Sequence, residues 1–148
     1  MKKKPTLLVL TSTYPRWVND PEPGFIHELN RRLVKDYDVH VISPHAMGAT
    51  LEECIDGIYI HRFRYAPNFM ETLVHNGGIL ANLKQNKFKW LLLPLFFLAM
   101  QIKISKLVLR IKPDCIHAHW IIPQGLCLAI LSLVPDICRE DPEAIWIR

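Results

Sequence analysis

Four apolar residues, Leu7 to Leu10, run without interruption into the polar Thr11, Ser12 and Thr13. That is the pattern of a short strand covered on both faces. After a long loop, Phe25, Ile26, Leu29, Leu33 and Val34 recur at helical spacing and predict a helix over Phe25 to Lys35, with Glu28 and Arg32 four apart on its wet side. Asp38 to Ile42 reads as a second strand, and Ser43-Pro44-His45 leaves its carboxyl end. In Cys54 to Phe63, Asp56-Gly57 signals a hairpin turn, after which Ile58, Ile60 and Arg62 alternate with Tyr59, His61 and Phe63 as a third strand. Asn68 to Asn86 is poorly patterned, broken at Gly77-Gly78, and predicts a loop with a short helix.

A long helix is predicted from Pro94, a good first helical position, to Ile111, followed by a strand over Asp114 to His117. Pro123 opens a last helix carrying Leu126, Ala129, Ile130 and Leu133, which Pro135 ends. The alternation of strands and helices predicts an α/β fold, a parallel sheet with helices on both faces. Residues 1–134 would form this lobe. Asp136 to Arg148 reads as an irregular tail, in which Ile145-Trp146-Ile147 is too short to count as an element.

The connection Thr11 to Phe25 is far longer than the two to six residues that usually join a strand to a helix. It carries Tyr14, Arg16, Trp17 and Gly24. In an open parallel sheet such a loop borders the crevice at the carboxyl ends of the strands, where ligands bind. Ser43 to His45, Tyr65 to Pro67 and His117 to Pro123 would share that edge. Gly24, just before the helix, would leave backbone N–H groups open to a phosphate at the positive helix end; a plain N-cap is the alternative. Arg16 would meet phosphate, while Trp17 and Trp120 offer flat faces for a sugar ring or a lipid.

His117-Ala118-His119-Trp120 is a sharper signal, because residues two apart on a strand share a face. Two imidazoles in one cleft suit substrate hydrogen bonding, packing, or a metal site that would need His45 or Asp114 as a third ligand. No metal is expected from the spacing, and no organic cofactor. The chain has neither G-x-G-x-x-G after its first strand nor G-x-x-x-x-G-K-[ST], which disfavours dinucleotide and P-loop chemistry. It also lacks the G-x-S-x-G elbow of α/β hydrolases.

Composition adds little beyond ordinary globular character: 148 residues, half apolar and 22% charged. Four scattered cysteines without C-x-x-C indicate reduced thiols. The four-residue apolar start is too short for a secretory core, so the cytoplasm is the expected location. The net charge is +4, but its placement changes the picture more than its size. Lys103, Lys106 and Arg110 fall on one stripe of the long helix, beside the apolar run Trp90 to Met100. That run is too short to span a bilayer. The helix is read either as a core helix with a solvated basic face or as one resting peripherally on an anionic membrane at its inner face. No nucleic-acid partner is indicated.

Jointly, L-x-x-T-S-T-Y-P, P-x-P-G-F-I-H-E-L-N-R-R-L, D-V-H-V-I-S-P, G-I-x-I-H-R-F-R-Y and K-P-D-C-I-H-A-H-W, in order from about Thr6 to Leu131, resemble the amino-terminal domain of GT-B glycosyltransferases of the retaining, family-four type. The resemblance implies a Rossmann-like, acceptor-binding lobe facing a second lobe that binds a nucleotide-sugar. By it, Gly24 would approach the donor diphosphate, and His117 and His119 would line the acceptor side and are the candidates for catalysis. From their place on the crevice loops, Arg16 would join Gly24 at the diphosphate, and Tyr14, Trp17, His45 and Trp120 would join His119 at the acceptor. Acceptors in such families are often lipid-linked sugars or phospholipids, which suits the basic, apolar helix. The histidine-glycine turn after the last helix and the donor lobe with its paired glutamates do not occur in this sequence. The lobe alone should therefore be nearly inactive, needing a donor half or a separate donor subunit. The rival is a non-catalytic membrane-surface or partner-binding module.

Overall fold

The computed structural model describes residues 3–18, 20, 24–74, 78–133 and 145–147. Within them, β1 (Thr6–Leu10), β2 (Asp38–Pro44), β3 (Glu52–Ile55), β4 (Ile58–Phe63), β5 (Cys115–Ala118) and β6 (Ile145–Ile147) form one sheet in the order β3-β4-β2-β1-β5-β6. Every pairing is parallel except that of β3 with β4. The Rossmann-like α/β fold is thus as expected.

β1 sits centrally, and its five residues are all buried because both faces are covered. Leu7 and Val9 pack with Val39, Val41, Ile58 and Ile60 beneath α1 (Gly24–Leu33). Leu8 and Leu10 face the opposite way, into a core with Ile42, Phe63 and the buried side of α3 (Leu92–Ile111). Alternation on a strand puts successive residues in different cores. At the centre of the second core, Phe96 is fully buried and meets the rings of Phe63 and Tyr65 edge-on, with centroids 5.2 and 5.1 Å away. α2 (Gly78–Gln85) and α4 (Leu126–Ser132) add Leu83, Leu128 and Leu131 to it.

The β3–β4 turn is of the primed kind, with positive φ at both Asp56 (52°) and Gly57 (79°). A side chain at Gly57 would also press on Val34, its Cβ 3.1 Å from Cγ1.

Three expectations are corrected. In α1 the buried line is Ile26 and Asn30, whereas Phe25 and Leu29 face outward. Helical spacing marks an apolar stripe but leaves its rotation against the sheet to packing. Glu28 and Arg32 both lie on the wet side as expected, and Glu28 pairs with Arg31 at 3.1 Å. The long helix begins at Leu92, so Pro94 occupies its first turn, where its missing N–H costs nothing. And Ile145–Ile147, expected to be irregular, is β6, paired in parallel with β5 through Ile116–Ile145 and Ala118–Ile147. Three β-prone residues gain strand structure from an available sheet edge, a long-range partner that local patterning does not show. The helix stop at Pro135 and the rest of the tail, 134–144, lie outside the described residues.

By length and composition Lys87–Ile111 would suffice to cross a membrane. Here α3 covers the sheet, burying Leu92, Phe96, Met100, Ile104, Leu107 and Val108.

Candidate functional site

The strand ladder continues past the strand ends and lines up the loops at the carboxyl edge. His119 N–H donates to Leu10 O, Thr11 N–H to Ile42 O, and His45 N–H to Phe63 O, each at 2.9 to 3.1 Å. The loops after β5, β1 and β2 therefore leave the sheet side by side, as the crevice rule requires.

On the β5 side, the His117 and His119 rings lie 4.4 Å apart, and Phe25 meets His119 edge-on at 6.5 Å. The end of β5 thereby touches the first turn of α1, which starts at Gly24. Gly24 is exposed, and a Cβ built there would meet nothing within 4 Å among the described residues. His119 Nε2 is buried without a hydrogen-bond partner among the described residues. Burial, and then the neighbouring His117, push the His119 pKa down to about 4, so the ring is neutral at pH 7. A histidine whose folded pKa is lowered takes up its proton in the unfolded chain first, so the folded state loses stability as pH falls from about 6.5 towards 4. His119→Gln is expected to lose less stability than the wild type between pH 7.5 and 5, measured as urea midpoints. An equal loss in both proteins would exclude this coupling.

On the β1 side, Arg62 is a buried clamp under the long loop. Its Nη2 donates to Pro15 O (2.8 Å) and Arg16 O (3.3 Å), its Nη1 to Thr50 O (2.7 Å), and the guanidinium pairs with Glu53 Oε1 at 2.5 Å. Arg16 forks onto the buried Asp20 carboxylate at 2.8 and 2.9 Å, and its guanidinium lies 4.5 Å over the Trp17 ring. The loop is thus braced from within. A crevice of about 180 Å³ between it and α1 brings Trp17, Asp20 and Gly24 together with His27 and Asp56. Small-molecule pockets usually enclose roughly 300–1,000 Å³. The crevice is smaller than such pockets.

Residues 20–137 match the glycosyl transferase 4-like family, a span that takes in the α1 terminus and the histidine pair. The chain belongs to that family. No curated protein and no solved structure matches it significantly.

In this glycosyl transferase 4-like lobe the expected site residues divide. His117, His119 and Gly24 gather around Phe25, and Trp120 stands half-exposed just beyond. Trp17 is also half-exposed, with Arg16 over its ring. Tyr14 turns inward: its hydroxyl bonds His27 Nδ1 at 2.9 Å, whose Nε2 reaches Asp56 at 3.0 Å. Burial raises the Tyr14 pKa well above its usual value. His45 is buried too, held by Glu71 Oε2 at 2.5 Å and the Ala49 carbonyl at 3.1 Å. Tyr14 and His45 are thus both buried and brace the loops, with Tyr14 at the floor of a small dent beside Arg16 and Arg62. Neither third-ligand candidate joins the histidines, since Asp114 accepts from Thr6 N–H at 2.7 Å. Among the described residues no group of three or more His, Cys, Asp or Glu side chains is placed to hold a metal.

The basic stripe also separates. Lys103 and Arg110 turn to Glu52 at the sheet edge, at 3.3 and 3.8 Å, and Arg110 comes within 3.5 Å of His61. Lys106 alone of the three projects without a partner among the described residues.

Phe25, Arg62 and Asp20 were not anticipated as site-forming residues. Arg62 lies 47 residues from Pro15 and Phe25 is remote in sequence from His119, so no local signal exposes either contact.

Proposed function

We propose that this chain is the acceptor-binding part of a retaining sugar transferase that uses a nucleotide-sugar donor and a saccharide or lipid-linked acceptor. The observation that carries the reading is the meeting of the histidine pair at the end of β5 with the amino-terminus of α1 around Phe25. A helix start with an open glycine suits the donor diphosphate. A neutral His119 beside it can accept or donate a hydrogen bond to a sugar hydroxyl. Trp17 and Trp120 add half-exposed flat faces for a ring or an acyl chain. Transfer also requires the donor to be held and its leaving phosphate neutralised, which falls to an opposing lobe, whether on a longer chain or in a second subunit.

The test is sugar transfer with and without an added donor lobe. Activity is expected only with it, and efficient transfer by the 148 residues alone would sink the division of labour. Gly24→Ala is the companion experiment. A methyl at Gly24 meets nothing within 4 Å among the described residues, so folding should be unchanged while transfer falls on the order of tenfold or more through the blocked diphosphate. Undiminished transfer would remove Gly24 from the donor path.

A further inference from the structure

The outer face of α3 is apolar where a solvated helix would be polar. Leu95, Leu98, Ile102 and Leu109 are 45 to 58% exposed. At 100° per residue they fall in a strip about 60° wide, opposite the buried Phe96, Met100, Ile104 and Leu107. Phe88, Trp90 and Leu91 continue this surface through the turn leading into the helix, at 82, 57 and 72% exposure. A contiguous apolar surface of this kind marks an interaction site more often than chance exposure.

Charge selects the occupant. Between Glu71 and Asp114 the sequence holds seven Lys or Arg and no Asp or Glu. Lys84, Lys87 and Lys106 are exposed and have no partner among the described residues, and Lys106 borders the strip between Ile102 and Leu109. Two copies apposed through this face would set lysines against lysines with no carboxylate between them. An anionic bilayer answers both features, accepting the leucines into its outer acyl region and the ammonium groups among its phosphates. Trp90 would lie at the headgroup level, where indole rings favour the interface.

We propose that the outer face of α3 and its lead-in turn dock this protein on an anionic membrane surface, the apolar strip inserting shallowly and Lys87 and Lys106 pairing with lipid phosphates. The contact differs from the basic stripe anticipated from sequence, because Glu52 occupies Lys103 and Arg110. It does not depend on the sugar-transfer reading, and its readout needs no donor or acceptor.

Co-sedimentation of the whole chain with phosphatidylcholine vesicles, with and without phosphatidylglycerol, tests it. Binding is expected to the anionic vesicles and to weaken with salt. Leu98→Glu with Ile102→Glu should lower partitioning more than tenfold. Lys106→Glu should lower it about tenfold, and Leu29→Glu on α1 should leave it unchanged. Thermal melts followed by circular dichroism identify any variant that fails to fold, and Lys106→Glu then serves in place of the double variant. Failure of the wild type to bind anionic vesicles overturns the proposal. So does unaltered binding by the folded Leu98/Ile102 and Lys106 variants. A wild-type dimer that the double variant splits, without vesicle binding, would assign the face to a second copy instead.

Discussion

Phe96→Ala is expected to destabilise the fold by about 3–5 kcal/mol, lowering the melting temperature by roughly 10 °C or more. The ring is fully buried where α3 crosses the sheet, against Phe63 from β4 and Tyr65 just beyond it. Removing it leaves a cavity bounded by a strand and a helix, neither of which can collapse inward without losing its own contacts. The Tyr65 hydroxyl would lose some of the apolar surround that raises its pKa to about 12, although it still accepts from Leu73 N–H. Phe88→Ala is the control: that ring is 82% exposed, and the change should lie within about 0.5 kcal/mol. Equal urea midpoints for Phe96→Ala and wild type would show that Phe96 does not anchor this core.

Arg62→Met should cost about 3 kcal/mol and loosen the site before it unfolds the sheet. Methionine keeps the apolar stem, but the carbonyls of Pro15, Arg16 and Thr50 lose a donor and Glu53 loses its counter-charge. Glu53 is 23% exposed, so water relieves part of that loss, which keeps the figure at the lower end for a broken buried pair. Adding Glu53→Gln should recover part of the stability by removing the unpaired carboxylate. Proteolysis in the Thr11–Gly24 loop should accelerate in Arg62→Met under conditions where the sheet stays intact. A loss under about 1 kcal/mol with unchanged proteolysis would mean the loop is held by Asp20 and Arg16 instead.

The strands were legible because a doubly covered strand writes its burial as an unbroken apolar run, and Leu7 to Leu10 does so. The β3–β4 hairpin was legible because positive φ at two successive positions demands residues such as Asp and Gly. The histidine pair was legible as a shared-face spacing. By contrast, Asn30 in place of Leu29 on the buried side of α1, and Ile145–Ile147 as a strand, follow from what each segment packs against. The basic stripe shows the same limit: Lys103, Lys106 and Arg110 share a helix face, yet only the position of Glu52 on a separate strand decides which of them stay free.

The sequence by itself determined the α/β alternation, the family to which the chain belongs, and the edge of the sheet at which its histidines and glycine gather. These rest on short-range periodicity and on turn residues with narrow φ preferences, which operate within a few positions of the chain. Only the tertiary structure decided that Tyr14 and His45 face inward, that Arg62 clamps the long loop, that Phe25 joins His119, and that leucines form the outer face of α3. Those outcomes depend on the rotation of helices against a sheet and on partners tens of residues away, where packing and charge pairing override local preference.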